Sequence, residues 1–381
     1  MLKRLYIDNF RCFVNFEYKP KRKQLLLGAN GSGKSSLLDA IRAVQDFVCG
    51  IEGGNFFRVA VQNSKTRWLN LPKQVFEIEA ELQGRRYVYR LEIKVESELS
   101  DLVLAESLKV DDNPILEYSD GALSLYKEDA DDTVTKPGTE ISDASSNLGT
   151  HKDFRVEANR FFTWLSKDLI CLKINPKEMR DAGMYSGFMR PGFDMRNIVD
   201  WYLNLEQYDS HGLSKFRSSL QETLDGLEST GSEDEMVSIL SECRKTGRAE
   251  LIISFWRSDR NVSRFKLMEL SEGQRCLIAL HMILHFLIEK GHTVLLDEPD
   301  NFISLREIQP WLLQAEAAAD DSKGQLILIS HHPEILNQWA HEYGMRMFRD
   351  DGGPVQIEKY KTDYDDILKP SEVVARGWEN D

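Results

Sequence analysis

The sequence predicts an α/β fold in which a mixed sheet carries an antiparallel β-subdomain and a helical insertion. Short apolar runs bounded by glycine or polar residues predict buried strands, and alternating apolar and polar residues predict strands with one solvated face. The buried runs occupy residues 25–27, 169–174, 293–296 and 325–329. The 381 residues, of which 41% are hydrophobic, suffice for one large domain with an insertion or for two domains.

A glycine-rich segment follows the first buried run and precedes a helical pattern at residues 35–48. It comprises Gly28, Ala29, Asn30, Gly31, Ser32, Gly33, Lys34 and Ser35, followed by Ser36. This is the GxxxxGK[ST] spacing of a phosphate-binding P-loop between a strand and a helix. The glycines let backbone N–H groups and the positive end of the helix face phosphate oxygens. We expect Lys34 to reach the β- and γ-phosphates of a nucleotide and the Ser35 hydroxyl to ligate Mg²⁺.

Bulk composition limits the classes of function. A formal charge of −14 argues against coating nucleic acid through net charge, so any DNA contact is expected to be local or made by a partner. Five scattered cysteines form no CxxC pair, which predicts neither disulfides nor a zinc site and favours a reducing cytoplasm. No apolar run approaches the roughly 20 residues that cross a bilayer. We therefore expect a soluble, cytoplasmic protein without a membrane partner.

The first predicted segment, residues 1–125, is the N-terminal part of the nucleotide-binding region. Its predicted strands other than the P-loop strand lie at residues 2–10, 14–18, 75–82, 87–95, 102–110 and 115–118. The third and fourth are joined by Gln83-Gly84, which predicts an antiparallel hairpin. A basic cluster precedes the P-loop strand and is read as a solvated turn, with a DNA patch as the alternative. It consists of Lys19, Lys21, Arg22 and Lys23.

The second segment, residues 126–250, is predicted to hold an acidic loop and a helical insertion. Residues 128–150 are rich in Asp, Ser, Thr and Gly and read as a mobile loop without chemistry. Helical patterns occupy residues 154–165, 198–205, 213–224 and 236–243.

The third segment, residues 251–360, is predicted to complete the nucleotide-binding region, and residues 361–381 form a tail. Residues 251–256 and 264–267 predict a strand pair that returns the chain to the main sheet.

Three motifs in the third segment carry chemistry. Leu270-Ser271-Glu272-Gly273-Gln274 precedes a helical run, where Ser271 alone is equally well explained as a helix N-cap. Asp297 and Glu298 end a buried strand, so that Asp297 can hold Mg²⁺ and Glu298 can polarise an attacking water, with an ordinary surface turn as the alternative. His331 lies at the carboxyl edge of the last buried strand, where open α/β sheets bind ligands.

These motifs together resemble the ABC-type ATPase heads of the SMC, RecF and Rad50 class, and most closely the stand-alone bacterial AAA-type ATPases related to the OLD family. The resemblance rests on the opening Ile7-Asp8-Asn9-Phe10-Arg11, the Walker A loop from Gly28 to Ser35, the signature Leu270-Ser271-Glu272-Gly273-Gln274, the Walker B Leu295-Leu296-Asp297-Glu298-Pro299, a D-loop at Asp300-Asn301, and the switch region Ser330-His331-His332-Pro333-Glu334. It covers residues 1–110 and 250–350 and implies a P-loop NTPase fold of the ABC-type ATPase head.

The resemblance implies a head-to-head homodimer with ATP and Mg²⁺ in each interface. Ser271 and Gly273 of one protomer would then touch the γ-phosphate held by the other, and Asp300 would contact the other protomer. His331 would sense the γ-phosphate, although His332 is adjacent and is the alternative.

Two further positions follow from the resemblance with alternatives left open. Arg11 matches a position near the nucleotide or a DNA surface in the family, and a plain salt bridge explains it equally well. Gln62 is the candidate for the glutamine that such ATPases place near the nucleotide, although no local motif surrounds it.

The sequence departs from the family in two respects. It has no pattern for a long coiled coil, and the 50 residues after His331 are too few for the Toprim nuclease domain of OLD-family proteins. A nuclease or toxin partner is therefore expected to be a separate chain. Residues 363–381 are read as a solvated or locally packed tail, with a docking segment as the alternative.

The sequence thus predicts an ATPase that closes as a dimer around ATP and controls a separately encoded effector in bacterial anti-phage defence or DNA repair. One alternative is the nucleotide-binding subunit of a transporter, against which the Asn9-Phe10-Arg11 opening and the irregular insertion argue. Another is an ATP-dependent clamp or scaffold with negligible turnover.

Overall fold

The computed structural model describes most of the chain. The chain divides into two compact units. The described residues are 1–51, 55–62, 64–94, 103–126, 133–137, 146–185, 190–224, 239–243, 248–256, 262–361 and 368–377. Unit 1 comprises Met1–Cys171 and Ala340–Thr362, and unit 2 comprises Leu172–Trp339 and Asp363–Asp381. These units group the chain differently from the four segments predicted by the sequence, which stay a prediction.

Unit 1 contains an eight-stranded antiparallel sheet with the order β2-β1-β4-β5-β6-β7-β8-β9. Its strands are β1 (Leu2–Asp8), β2 (Phe16–Tyr18), β4 (Lys73–Leu82), β5 (Arg85–Lys94), β6 (Val103–Val110), β7 (Asn113–Ser119), β8 (Ala122–Tyr126) and β9 (Thr133–Pro137). Gln83 and Gly84 both have positive φ, 52° and 77°, which is the backbone that a two-residue hairpin turn requires. The predicted hairpin is confirmed, as are the strands that extend it.

The P-loop strand of unit 1 belongs to a different, mixed group of strands. Strand β3 (Lys23–Leu27) pairs in parallel with β17 (Gly344–Arg349), which pairs antiparallel with β18 (Val355–Lys359). The unit also contains the α-helices α1 (Lys34–Cys49), α2 (Asn55–Gln62), α3 (Asn147–His151) and α4 (Val156–Thr163). Helix α1 ends at Gly50, whose φ of 64° permits the left-handed cap, so its predicted extent is confirmed.

Residues 128–150 are predicted to form a mobile loop without chemistry, but both described stretches within them, 133–137 and 146–150, contain regular secondary structure. Strand β9 pairs with β8, and α3 starts after Ser146, whose hydroxyl accepts from the Gly149 N–H at 3.0 Å. Buried Glu106 anchors this start, because its carboxylate accepts the Asn147 N–H at 2.7 Å. A composition-based reading misses such an anchor, since Glu106 lies 40 residues earlier than Ser146 in the chain. The remainder of the predicted loop, residues 127–132 and 138–145, lies outside the described residues.

Unit 2 combines a parallel strand pair, a group of helices and a small antiparallel sheet. Strands β15 (Thr293–Asp297) and β16 (Gln325–Ile329) pair in parallel and are buried along their whole length. The helices are α5 (Ile198–Tyr208), α6 (Ser210–Thr223), α7 (Glu272–Ile283), α8 (Leu305–Ser322), α9 (Pro333–Tyr343), which continues into unit 1, and α10 (Pro370–Arg376). Strand β10 (Leu169–Leu172) leads from unit 1 into this unit.

The small sheet of unit 2 corrects two predictions. It contains β11 (Ala182–Gly183), β12 (Ile239–Cys243), β13 (Ala249–Trp256) and β14 (Val262–Lys266). The helix predicted at 236–243 is therefore a strand over its described part, because pairing with β13 overrides a helical pattern only two turns long. The predicted pair β13–β14 exists, but it belongs to this separate sheet and does not return to a main sheet.

The described part of the tail packs locally. The Ser371 N–H donates to Asn337 Oδ1 at 3.0 Å, and Val373 is fully buried. Tyr364 and Trp378 lie outside the described residues. Among the described helices, none combines the length and the apolar composition needed to cross a bilayer.

Candidate nucleotide site

The P-loop of unit 1 has a backbone that its glycines make possible. Gly28, Gly31 and Gly33 have φ values of 142°, 82° and 101°, which L side chains rarely adopt. A Cβ on Gly28 would lie 2.0 Å from the Met347 carbonyl oxygen, so this turn passes too close to β17 for any side chain. The segment from β3 to α1 is therefore folded as the sequence predicts, with the backbone turned in a concave path.

Helix α1 begins at this loop without a side-chain cap. Its N-cap is Gly33, which has no side chain that could cap the helix, and its first turn contains no acidic residue. The first N–H groups of a helix need acceptors, and phosphate oxygens at a P-loop supply them. Ser35 is exposed in the same turn. The local structure thus fits a phosphate group and, through the Ser35 hydroxyl, a Mg²⁺ ion.

Lys34 is buried within the P-loop, with 7% of its surface exposed. Its Nζ donates to the Gly28 carbonyl at 2.5 Å and to the Ala29 carbonyl at 3.1 Å. These carbonyls hold the ammonium group inside the loop that the sequence predicts to bind phosphate.

Arg11 is ion-paired within unit 1. Its Nη1 lies 2.6 Å from Asp39 Oδ2 and donates to Ser36 Oγ at 3.3 Å. The salt-bridge alternative for Arg11 is therefore observed, and the pair links the end of β1 to α1 just after the P-loop. The neighbouring Asn9 is fully buried, and its Nδ2 donates to the Lys73 carbonyl at 2.9 Å. The side chain of Gln62 lies outside the described residues.

Asp297 and Glu298 end the buried strand β15 in unit 2. The Asp297 side chain is 1% exposed and that of Glu298 is 30% exposed. Glu298 has a φ of 50°, and its N–H donates to the Ile329 carbonyl at 2.8 Å. This turn directs the chain away from β15 immediately after the two carboxylates.

A lysine that the sequence reasoning missed bridges these carboxylates. Lys173 follows β10, and its Nζ lies 3.0 Å from Asp297 Oδ2 and 2.9 Å from Glu298 Oε2. The two carboxylates therefore converge on a cation, and carboxylate oxygens are the donors that Mg²⁺ takes, so the pair fits a Mg²⁺ site. The signal in the sequence is a single lysine directly after a buried apolar strand, but nothing in it indicates partners 124 and 125 residues away.

The charges around this pair determine its protonation. Burial disfavours the ionised form of Glu298, but hydrogen bonds from Lys173 and Asn301 and the charges of Lys173 and His331 together lower its pKa below the usual range. Burial likewise opposes the charge of Lys173, yet its bonds to Glu298 and Asp297 raise its pKa. Glu298 is therefore an ionised carboxylate at neutral pH, as a residue that polarises water has to be.

The D-loop and the switch region contact each other in unit 2. Asp300 is buried and accepts from Ser330 Oγ at 2.7 Å, and the His332 N–H donates to the same hydroxyl at 2.9 Å. Burial raises the pKa of Asp300. The charge of His331 acts on Glu298, whereas that of His332 acts on Asp300.

The signature residues form the start of α7. Ser271 Oγ accepts from the Gln274 N–H at 3.2 Å, and Gln274 Oε1 accepts from the Ser271 N–H at 3.0 Å, which together make a capping box. A Cβ on Gly273 would lie 2.9 Å from the Phe302 carbonyl oxygen, so the helix start lies close to the segment after the D-loop. The N-cap interpretation of Ser271 is observed, and its contact with nucleotide in trans stays a prediction.

Two family models match the sequence. Residues 25–337 match the family described as "AAA domain, putative AbiEii toxin, Type IV TA system". The chain belongs to this AAA family. Residues 2–45 of the chain also match a model described as the P-loop-containing region of an AAA domain. No curated protein sequence matches the AAA domain.

The fold of the chain is similar to that of SMC head domains in solved structures. An SMC head bound to the C-terminal winged-helix domain of ScpA is 12% identical, with a TM-score of 0.55 over 94% of this chain and 98% of that one. An SMC head domain from Pyrococcus yayanosii with a coiled coil and joint is 10% identical, with a TM-score of 0.53 over 99% of both chains. At these identities the likeness shows the fold, which is a P-loop NTPase fold of the SMC-head type. The expected P-loop NTPase fold of an ATPase head is confirmed, while the closer relation to the OLD family stays a prediction.

Proposed function

We propose that this AAA domain binds and hydrolyses ATP with Mg²⁺, closes as a homodimer around ATP and controls a separately encoded effector. The observation that carries the proposal is the uncapped start of α1 after Gly28, Gly31 and Gly33. A helix start with a glycine N-cap and no acidic residue in its first turn supports anion binding, because no carboxylate of that turn offsets the positive end of the helix dipole.

The residues of the protomer have distinct roles in this proposal. Lys34 exchanges its bonds to the Gly28 and Ala29 carbonyls for phosphate oxygens of ATP, while Ser35 and Asp297 hold Mg²⁺. Mg²⁺, when bound, supplies charge neutralisation for the phosphates. Glu298, ionised and partly exposed, orients and polarises the attacking water, and His331 responds to the γ-phosphate.

A second copy of the chain completes each site in this proposal. Ser271 and Gly273 would meet the γ-phosphate in trans, at the start of α7, where the helix dipole favours negative charge. Asp300 would contact the partner protomer near the same nucleotide. Its bond to Ser330 supports a link between that contact and the switch histidine.

The family description supports a setting in which the ATPase acts with an effector such as a nuclease or toxin. That description contains a toxin of a type IV toxin–antitoxin system, and one SMC head of similar fold is bound to another protein. We therefore propose bacterial anti-phage defence or DNA repair in the cytoplasm. DNA binding is part of the proposal only as a local contact, because the net charge is −14.

The test of this function compares wild type with Glu298→Gln. Wild type is expected to release phosphate from ATP with Mg²⁺, and Glu298→Gln to lose at least about 100-fold in rate because the base for water is absent. ATP affinity should remain within about threefold, since the P-loop is unchanged. Light scattering should show that ATP shifts Glu298→Gln from monomer to dimer. Glu289→Gln, a carboxylate on the segment after α7 that pairs with His285 at 2.9 Å, is the matched control and should retain wild-type turnover.

Equal phosphate release by wild type and Glu298→Gln would contradict the enzymatic function and favour an ATP-dependent clamp. A Glu298→Gln protein that binds ATP yet stays monomeric would contradict the dimer. Co-purification with a membrane permease would instead support a transporter subunit.

A further inference from the structure

We propose that Lys173 is a positioning residue that holds the Asp297 and Glu298 carboxylates together in the metal-free protomer and is displaced from Asp297 when Mg²⁺ binds. This inference rests on the proposed Mg²⁺-dependent function and adds to it a residue that controls metal binding. The ammonium group of Lys173 bridges the two carboxylates and contacts each of them at about 3 Å.

The bridge occupies the position where Asp297 can offer an oxygen to metal. Of the two carboxylates, that of Asp297 is almost completely buried, with 1% of the side chain exposed. A buried carboxylate without a nearby cation is strongly disfavoured, so Lys173 stabilises the pair when no metal is present. The ammonium group of Lys173 therefore supplies the positive charge that a bound metal ion would otherwise supply to Asp297.

The ammonium group of Lys173 and a Mg²⁺ ion cannot both contact the Asp297 carboxylate, because both are positively charged. Mg²⁺ requires oxygen ligands at about 2.1 Å, and an ammonium group 3.0 Å from the same carboxylate would repel it. The lysine side chain has room to move away, because 40% of it is exposed and its four-carbon stem is flexible. Glu298 retains a second partner in Asn301, whose Nδ2 donates to Oε2 at 2.9 Å.

The backbone that carries Lys173 is fixed, so the displacement is a movement of the side chain alone. The Lys173 N–H donates to the Phe193 carbonyl at 2.7 Å, and the Asn175 N–H donates to the Asp194 carbonyl at 3.2 Å. Arg275 on α7 donates from Nη1 to the Pro176 carbonyl at 2.6 Å. The backbone of Lys173 is therefore held near the carboxylates, and its ammonium group competes with metal as a tethered cation.

The experiment measures metal binding without nucleotide, using Mn²⁺ as the probe and the EPR signal of free Mn²⁺ as the readout. Lys173→Met is expected to bind Mn²⁺ at least tenfold more tightly than wild type, because the competing charge is gone. Lys173→Arg keeps the charge and should stay within about threefold of wild type. The double variant Lys173→Met/Asp297→Asn should lose the gain, which assigns it to Asp297.

Lys177→Met is the matched control, since Lys177 lies on the same segment but pairs with Glu272 at 3.7 Å instead of with the carboxylate pair. It changes the net charge equally and should leave Mn²⁺ affinity unchanged. Lys173→Gln provides a second neutral variant if Lys173→Met fails to fold by circular dichroism.

Equal Mn²⁺ affinities of wild type and the folded neutral variant would overturn the inference, as would a gain of equal size in Lys177→Met. Because no nucleotide is present, this failure is distinguishable from failure of the proposed function, which would appear as absence of ATP binding by wild type.

Discussion

Helices α1 and α7 both start directly after motif residues, but they satisfy their first N–H groups differently. Helix α1 follows Gly33 and has no side-chain cap. Helix α7 follows Ser271, whose side chain and that of Gln274 form a capping box. The start of α7 is therefore capped by side chains of the protomer itself, whereas α1 starts at the glycine-rich loop where we propose that phosphate binds.

The largest effect should come from the start of α1. Lys34→Ala is expected to weaken ATP binding at least about 100-fold, because it removes the cation that the P-loop holds for phosphate. Titration with a fluorescent ATP analogue measures this change. Lys21→Ala, in the exposed turn before β3, is the matched control and should bind as wild type does. If Lys34→Ala kept wild-type affinity, the assignment of the nucleotide to α1 would be wrong.

The buried faces of the two helices also differ. Helix α1 carries the buried amide of Gln45, and α7 carries the buried imidazole of His281. Burial, assisted by the charge of His285, lowers the pKa of His281 to about 3. Below pH 6.5 the unfolded chain takes up a proton that the folded chain does not. The free energy of unfolding should therefore fall as pH decreases from about 6.5 toward 3, by about 1.4 kcal/mol per pH unit from this residue.

Urea unfolding at pH 7.5 and pH 5.5 measures this slope. His281→Gln gives α7 a neutral amide like that of α1, and its stability should fall less with decreasing pH than that of wild type. His211→Gln, at an exposed position of α6, is the control and should keep the wild-type slope. A wild-type slope in His281→Gln would show that the buried imidazole is not the source.

The smallest effect concerns the cap of α7. Ser271→Ala should lower the free energy of unfolding by about 1 kcal/mol, because the Gln274 N–H loses its acceptor. Ser271→Asp keeps an acceptor and should retain stability, yet its negative charge should prevent ATP-dependent dimerisation if Ser271 meets the γ-phosphate in trans. Chemical denaturation and light scattering separate the two roles.

Ser304→Ala, at the residue before α8, is the matched control for this experiment. It removes the hydroxyl that donates to Glu307 Oε2 at 2.7 Å and should affect stability without affecting dimerisation. An ATP-bound Ser271→Asp dimer as stable as that of wild type would limit Ser271 to capping.

The features that the sequence predicts well are local. The P-loop from Gly28 to Ser35 and the hairpin turn at Gln83-Gly84 depend on glycine backbone and on strand patterns a few residues away. Glu298 and Asp297 are predicted because a buried strand precedes them directly.

The features that the sequence did not predict depend on distant partners. Strand β12 forms because it pairs with β13 through backbone hydrogen bonds, although the hydrophobic pattern of its sequence is helical. The bridge from Lys173 joins residues more than 120 positions apart, and ion pairs leave no periodic signal in a sequence. The capping role of Ser271 was one of two explanations, and the sequence alone does not distinguish a cap from a ligand contact.

The positive φ of Glu298, 50°, places this carboxylate on a backbone that glycine or asparagine adopts more readily. Holding a glutamate there costs about 1 kcal/mol, which the bond from its N–H to the Ile329 carbonyl helps to offset. Glycine at this position would relieve the backbone cost but would lose the contacts that the glutamate makes with Lys173 and Asn301. The side-chain contacts of Glu298 and its backbone conformation therefore act on stability in opposite directions.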